Sequence, residues 1–382
     1  MVYSVLLSVL LPAALGFVSC STVEYAESGL TVSVDYHDRD EPVELGSFLS
    51  DDFMLVPLGC PTPEARVGMI DRVLMAGGRL FIVDRKDNTL KVFTQDGEFI
   101  ASTRRMVGHG HNEYISMTDA VADTARRVVY MFCDAPYCVI TLDFDLRVLS
   151  YTKTDFYALS VAADEDFIYC LVNEPGAPWR KRVVALRKDL SGAPVTILSS
   201  DKGVRGLRTF GEPMSSAGAD VYVCLPFDNR ICRLGGGKIK EVYTVDFGEW
   251  GASESELAEF PEERVFSRRN GDKNWMIVNI AASDSIMMFA TNTGQTFVVD
   301  KEARSCDSYR RLASDRLPFS SSQWVPVSGP FGMTAQVLPQ KAAAHYIKKI
   351  GTIDKRISET QYRLNTDSSD VGNPALVLYR LR

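Results

Sequence analysis

The chain has 382 residues, of which 46% are hydrophobic, 24% charged and 10% aromatic. That balance belongs to a folded globular protein and excludes a disordered chain or a disulfide-knotted miniprotein. The formal charge is −7, from 42 basic and 49 acidic residues, and no Lys/Arg run exceeds three. A phosphate-tracking groove is therefore not expected, and nucleic acid is not among the expected partners.

Residues 1–19 carry no charged side chain, and 5–18 is almost wholly apolar, interrupted by Ser8, Pro12 and Gly16. Polar sequence follows directly, so the segment reads as a secretory leader and not as a membrane span. The stretch Phe17-Val18-Ser19-Cys20 resembles a bacterial lipobox. It makes Cys20 the expected lipidation site, with attachment through acyl chains in place of a helix. The alternative is ordinary cleavage near Ser19, which yields a soluble exported protein. No later apolar stretch approaches the roughly 20 residues of a membrane helix. The expected division is a leader over 1–19, a tether and lead-in over 20–52, and one folded domain over 53–382.

Export permits disulfides. Beyond Cys20 the cysteines are Cys60, Cys133, Cys138, Cys170, Cys224, Cys232 and Cys306, an odd set without regular spacing. Cys133 and Cys138 flank Asp134-Ala135-Pro136-Tyr137, which leaves a hairpin bridge open. The others read as small apolar fillers in strands. No CxxC pair exists, which argues against a zinc ribbon or a thioredoxin-type site.

The domain is repetitive. Leu80-Phe81-Ile82-Val83, Val129-Tyr130-Met131-Phe132, Ile168-Tyr169-Cys170-Leu171, Val221-Tyr222-Val223-Cys224 and Ile286-Met287-Met288-Phe289 share one pattern, at spacings of 49, 39, 53 and 65 residues. Each precedes a turn and a second alternating or β-branched run, such as Leu90-Lys91-Val92-Phe93 or Thr296-Phe297-Val298-Val299. Short strands with tight turns predict an all-β fold. A period near 50 with about four strands per unit predicts a β-propeller. A sixth unit begins over 323–338, is interrupted by the helix-like stretch 340–364 and resumes at Asn373-Pro374-Ala375-Leu376-Val377-Leu378-Tyr379-Arg380. The N-terminal run Phe53-Met54-Leu55-Val56-Pro57-Leu58 would supply its missing strand. The expected fold class is a six-bladed β-propeller closed by N- and C-terminal strands, with small helical insertions.

The run Arg79 to Gly97, the segment Gly108-His109-Gly110-His111-Asn112-Glu113-Tyr114, Asp246-Phe247-Gly248 and the C-terminal 373–382 occur here in order. On these pieces the chain resembles the six-bladed propeller lipoproteins of Bacteroidetes, relatives of NHL-type propellers, although His111 stands where that family usually has Pro. The resemblance covers about 50–382 and implies fold and envelope location. It implies no particular activity, because a propeller is a scaffold for many functions.

Candidate sites are few. His109, His111 and Glu113 alternate, so on an extended strand two imidazoles and a carboxylate could converge on one cation. Gly108 and Gly110 instead suggest a solvent-facing loop, and no metal site is assigned. The same segment lacks the third glycine and the helix of a nucleotide-binding loop. No G-x-S-x-G elbow is present. Trp179 and Trp250 lie in loops, where each could anchor a partner or cap its own loop core. Together with Tyr114, these residues form the candidate binding loops. The acidic insertion over 248–274 reads as a solvated helix, with a capping box at Ser253 and Glu256. Asp84, Asp134, Asn173 and Asp228 recur at turns after the repeat strands, where Asp and Asn are common for conformational reasons.

The expected function is a binding or scaffolding module for an envelope protein, peptide or glycan, with no cofactor and no assigned catalytic residue. The alternative is a propeller-type hydrolase, lyase or lactonase with a metal-assisted site at the channel mouth.

Overall fold

The computed structural model describes residues 29–36, 43–44, 48–110, 112–173, 180–203, 211–253, 255–256, 273–310, 312–313, 324–329, 332–339, 341–342 and 372–382. Three lead-in strands come first: β1 (Gly29–Tyr36), β2 (Val43–Glu44) and β3 (Leu49–Pro57). Four-strand antiparallel units then follow along the chain. The first is β4 (Arg72–Ala76), β5 (Arg79–Asp84), β6 (Thr89–Thr94) and β7 (Phe99–Ser102). The second is β8 (Ser116–Asp123), β9 (Val128–Ala135), β10 (Tyr137–Asp143) and β11 (Val148–Lys153). The third is β12 (Ser160–Ala163), β13 (Phe167–Asn173), β14 (Arg180–Arg187) and β15 (Val195–Gly203). Next come β16 (Met214–Ala217), β17 (Asp220–Cys224), β18 (Arg230–Gly235) and β19 (Lys238–Asp246). After them are β20 (Ile277–Ala282), β21 (Ile286–Thr291), β22 (Thr296–Asp300) and β23 (Ser305–Tyr309), then the short β24 (Leu312–Ala313). The last unit has β25 (Trp324–Ser328), β26 (Met333–Leu338) and β27 (Ala375–Leu381), and β3 as its outer strand. β27 pairs with β3 through Leu376 opposite Val56, both fully buried.

Burial within a unit follows strand position. The second strands are apolar on both faces because both faces are covered, as in Leu80 to Val83, all fully buried. Fourth strands that nothing covers meet solvent; every residue of β7 is half-buried and most of β11 is exposed. The first strands lie against one another around an axis. There β12 (Ser-Val-Ala-Ala) and β16 (Met-Ser-Ser-Ala) are buried throughout although rich in small polar residues.

Apolar clusters join each unit to the next. Phe81 and Val92 pack with Met131 and Ile140, and Tyr222 and Ile231 pack with Met287 and Phe297. A further cluster sets Val56, Val327 and Leu376 of the last unit against Val73, Leu80 and Ile82 of the first. β25 also pairs in parallel with β4, Val327 opposite Val73. Each large side chain buried in this way contributes about 1.5–3 kcal/mol.

The lead-in differs from its expected role as a tether. β1 runs parallel to two outer strands, Gly29 to Ser33 beside Val242 to Asp246 of β19, and Val34 to Tyr36 beside Cys306 to Ser308 of β23. Its alternating Leu30, Val32, Val34 and Tyr36 pack on the cluster between those units. The strand thereby covers two edges whose backbone groups would otherwise be unpaired.

Cys133 and Cys138 face each other in the β9–β10 register as free thiols, both buried. Cys170 and Cys224 lie on second strands and are buried packing residues. Of the insertion after Gly248, the structure describes a short 3-10 turn over Gly248–Trp250 and the Ser253 cap, whose Oγ accepts from Glu256 N at 3.2 Å. Residues 257–272, and the helix-like stretch over 343–364, lie outside the described residues.

Candidate functional site

The first strands begin with charge. Arg72 opens β4 and is fully buried. Its Nη1 lies 3.1 Å from Asp119 Oδ2 on β8 and donates to the carbonyl of Val161 on β12. Its Nη2 reaches Glu212 Oε2 at 2.5 Å, Ser160 Oγ at 3.0 Å and the Met214 carbonyl at 2.7 Å. Only Nε of this guanidinium has no partner. Arg85, in the turn after β5, adds a second cation. Its Nη1 lies 2.7 Å from Glu212 Oε1, and its Nε donates to the Thr118 carbonyl at 2.7 Å. Asp119 further accepts from Val161 N at 2.8 Å. Glu212 N donates to Asn279 Oδ1 at 2.9 Å, and Asn279 Nδ2 donates to the Trp324 carbonyl at 3.1 Å. One connected polar cluster thus ties together residues on or beside β4, β8, β12, β16, β20 and β25.

Two arginines oppose two carboxylates. Burial raises the Glu212 carboxyl, but Arg72 and Arg85 outweigh it and hold the group below its ordinary value. Asp119 goes the other way. Burial pushes it up to about 6, against the pull of Arg72 and aided by the charge of Glu212. Asp71 precedes Arg72 and is half-buried, and burial raises its carboxyl although it accepts from Arg85 N at 2.8 Å. The Arg85 side chain is 30% exposed, more than those of Arg72, Asp119 and Glu212.

The residues singled out from sequence lie elsewhere. Cys20, His111 and Trp179 fall outside the described residues. His109 is exposed. Glu113 folds back so that Oε2 accepts from Gly110 N at 2.6 Å, which uses the carboxylate to shape its own loop. Tyr114 is fully buried and does not belong to a binding surface. Its hydroxyl donates to the Asn88 carbonyl at 3.0 Å and lies 2.6 Å from Thr103 Oγ1. Trp250 is half-buried, with its ring 5.9 Å from that of Tyr36 on β1. Among the described residues no three His, Cys, Asp or Glu side chains form a metal-binding set.

The turn carboxylates do conformational work. Asp84 accepts from Gly68 N, Met69 N and Asp87 N at 2.7, 3.2 and 3.0 Å, and from Lys91 Nζ at 2.7 Å. Asp228 likewise accepts from Arg230 N and its guanidinium.

Repeated four-strand units around an axis, with first strands innermost and outer strands in solvent, define a β-propeller. The chain belongs to the DUF4934 family, described as a domain of unknown function, whose model matches residues 32–380. A crystal structure of a Bacteroides fragilis protein provisionally named as exported is similar, with TM-score 0.66 and 15% identity over 92% of this chain and 99% of that one. BamB from Moraxella catarrhalis aligns at TM-score 0.41 and 13% identity, covering 66% of each chain. Streptogramin B lyase aligns at TM-score 0.41 and 9% identity, covering 74% of this chain and 80% of that one. No curated protein matches the sequence.

Proposed function

We propose that the chain is an exported, lipid-anchored propeller of six blades that binds or scaffolds a protein, peptide or glycan of the cell envelope. The pairing of β27 with β3 and the apolar cluster between last and first units support ring closure. The leader, the lipobox-like Phe17 to Cys20 and the similarity to a protein provisionally named as exported support the location.

The observation that carries the binding reading is the surface at the charged end of the axis. There the ionic groups are largely engaged with one another, while Met69, Ile115 and Tyr137 stand 48%, 46% and 44% exposed. These residues adjoin the turns after β5 and β9. Met69 N bonds Asp84, Asn88 Nδ2 bonds the Ile115 carbonyl, and Ile115 N bonds the Ala135 carbonyl. The Tyr137 ring lies 5.6 Å from that of Tyr157. Exposed aliphatic and aromatic groups at the same end as a partly exposed arginine are the composition of a partner-binding surface.

A photo-crosslinking residue at Ile115 should capture a partner in intact cells, and one at the outer-strand position Val195 should not. Capture at neither position, together with hydrolysis or lyase turnover that is lost on Glu212→Gln, would reverse the reading in favour of an enzyme. For the anchor, Cys20→Ala should move the protein from the membrane fraction to the soluble fraction and abolish acyl labelling. Wild-type protein that is already soluble, with its N-terminus at Ser21 or later, would rule the anchor out.

A further inference from the structure

At the opposite end of the axis the first strands finish in small residues. Ala76, Gly77, Ala163, Gly218, Ala219 and Gly329 border a cavity of about 490 Å³. That volume is within the usual range of small-molecule sites.

Ser328 also lines the cavity. It is 4% exposed, and its Oγ has no hydrogen-bond partner. Its neighbour Val327 packs into the cluster between the last and first units, and strand alternation directs Ser328 to the other face. A buried hydroxyl without a partner is unfavourable, and a ligand that supplies the missing bond recovers that free energy.

The charge around the cavity is one-sided. Asp123 is paired with two cations, Lys188 Nζ at 3.0 Å and Arg126 Nη1 at 2.9 Å. Asp164 accepts from Tyr169 Oη, Gly236 N, Asp166 N and Phe167 N at 2.7–2.9 Å, none of them a cation. Glu165 is exposed at the rim. Among the described residues neither Asp164 nor Glu165 has a paired cation, and the three carboxylates outnumber Lys188 and Arg126 by one, so the net field favours a positive ligand over a negative one.

We propose that this cavity binds a small organic cation, with an aromatic or aliphatic body against the small-residue wall and a protonated amine donating to Ser328 Oγ. The site is separate from the partner-binding surface at the charged end and does not depend on it.

Calorimetric titration of the purified protein with tryptamine, tryptophol and indole-3-acetate tests the assignment. Tryptamine should bind with a Kd between about 0.1 and 10 mM, as expected for a ligand of this size. Tryptophol should bind more weakly, and indole-3-acetate more weakly still. Ser328→Ala should weaken tryptamine about fivefold, the value of one hydrogen bond. Ala219→Trp fills the exposed rim and should abolish binding, while Glu165→Gln should narrow the preference for tryptamine over tryptophol. If Ser328→Ala does not fold, the two rim variants decide. Absence of tryptamine binding up to about 10 mM, equal binding of all three indoles, or binding unchanged by Ala219→Trp would each overturn the proposal.

Discussion

The two ends of the axis are built from the same strands and differ in what those strands carry there. At the start of the strands Arg72, Asp119 and Glu212 are buried to within 1% and hold one another through charge-assisted bonds. At the finish, alanine and glycine leave a cavity of about 490 Å³ and a serine hydroxyl without a partner. Burying three charges carries a large desolvation cost, offset only while every partner stays in place. Small residues carry no such cost, but they do not fill the space. The charged end is consequently sensitive to any single loss, and the small-residue end should tolerate loss of the Ser328 hydroxyl and can admit a ligand.

The largest effect should come from a change that disrupts both ends together. Deleting 373–382 removes β27 from between β26 and β3 and exposes two strand edges. It also removes Asn373, whose Oδ1 accepts from Val67 N at 2.7 Å and whose Nδ2 donates to the Ala65 carbonyl at 2.8 Å. The expected outcome is loss of cooperative thermal unfolding and aggregation. A truncated protein that melts like the parent would show that these strands do not hold the first and last units together.

Next in size is the contrast between the ends. Arg72→Met leaves Asp119 and Glu212 facing each other with only Arg85 between them, and should cost about 3–5 kcal/mol in urea unfolding. Ser328→Ala should change stability by less than about 1 kcal/mol, because it removes a hydroxyl that has no partner. Equal effects at the two sites would remove the distinction between the ends.

Backbone fit at the small-residue end gives the third expectation. Gly329 has φ +129°, and a Cβ there would lie 2.1 Å from the Met75 carbonyl oxygen. Gly329→Ala should therefore cost about 2–3 kcal/mol.

The charged end should also respond to pH, with two opposite signs. The Asp119 carboxyl is raised to about 6, so the native state binds its proton more tightly than the unfolded chain does. Stability from this group is present at low pH and is lost as pH rises from about 4 through about 6, on the order of 3 kcal/mol. Glu212 is held below its ordinary value, so its contribution is present above about 4.3 and is lost as pH falls further. Urea midpoints measured from pH 3 to 8 should flatten above about pH 4 in Asp119→Asn and below it in Glu212→Gln. Unchanged profiles would mean that these groups do not titrate as the cluster requires. A small effect also belongs to Gly78, at φ +76° with no atom within 4 Å of an added Cβ. Gly78→Ala should cost only about 1 kcal/mol, the conformational term alone.

Legibility in the sequence tracked strand position. Second strands such as β5 carry apolar runs because both faces are covered, and they stand out. The first strands do not. Ser-Val-Ala-Ala and Met-Ser-Ser-Ala are short, small and partly polar because they crowd around the axis, and neither β-branched residues nor alternation marks them. The charged cluster lies on or beside those strands, so it was hidden along with them. One available signal was a charged residue at the edge of an apolar run, as in Asp71-Arg72-Val73-Leu74. The lead-in strand is legible, since Gly29 to Tyr36 alternates cleanly.

Sequence alone therefore determined the all-β repeat, the strand–turn rhythm and the turn carboxylates such as Asp84. These depend on contacts within one unit, between residues a few positions apart. Tertiary structure alone decided that Arg72 meets Glu212, 140 residues away in the chain, that Tyr114 is core, and that the axis is charged at one end and hollow at the other. A buried charge is stable only beside partners that separate strands deliver, and a cavity is a property of the space between strands, so neither leaves a local pattern to read.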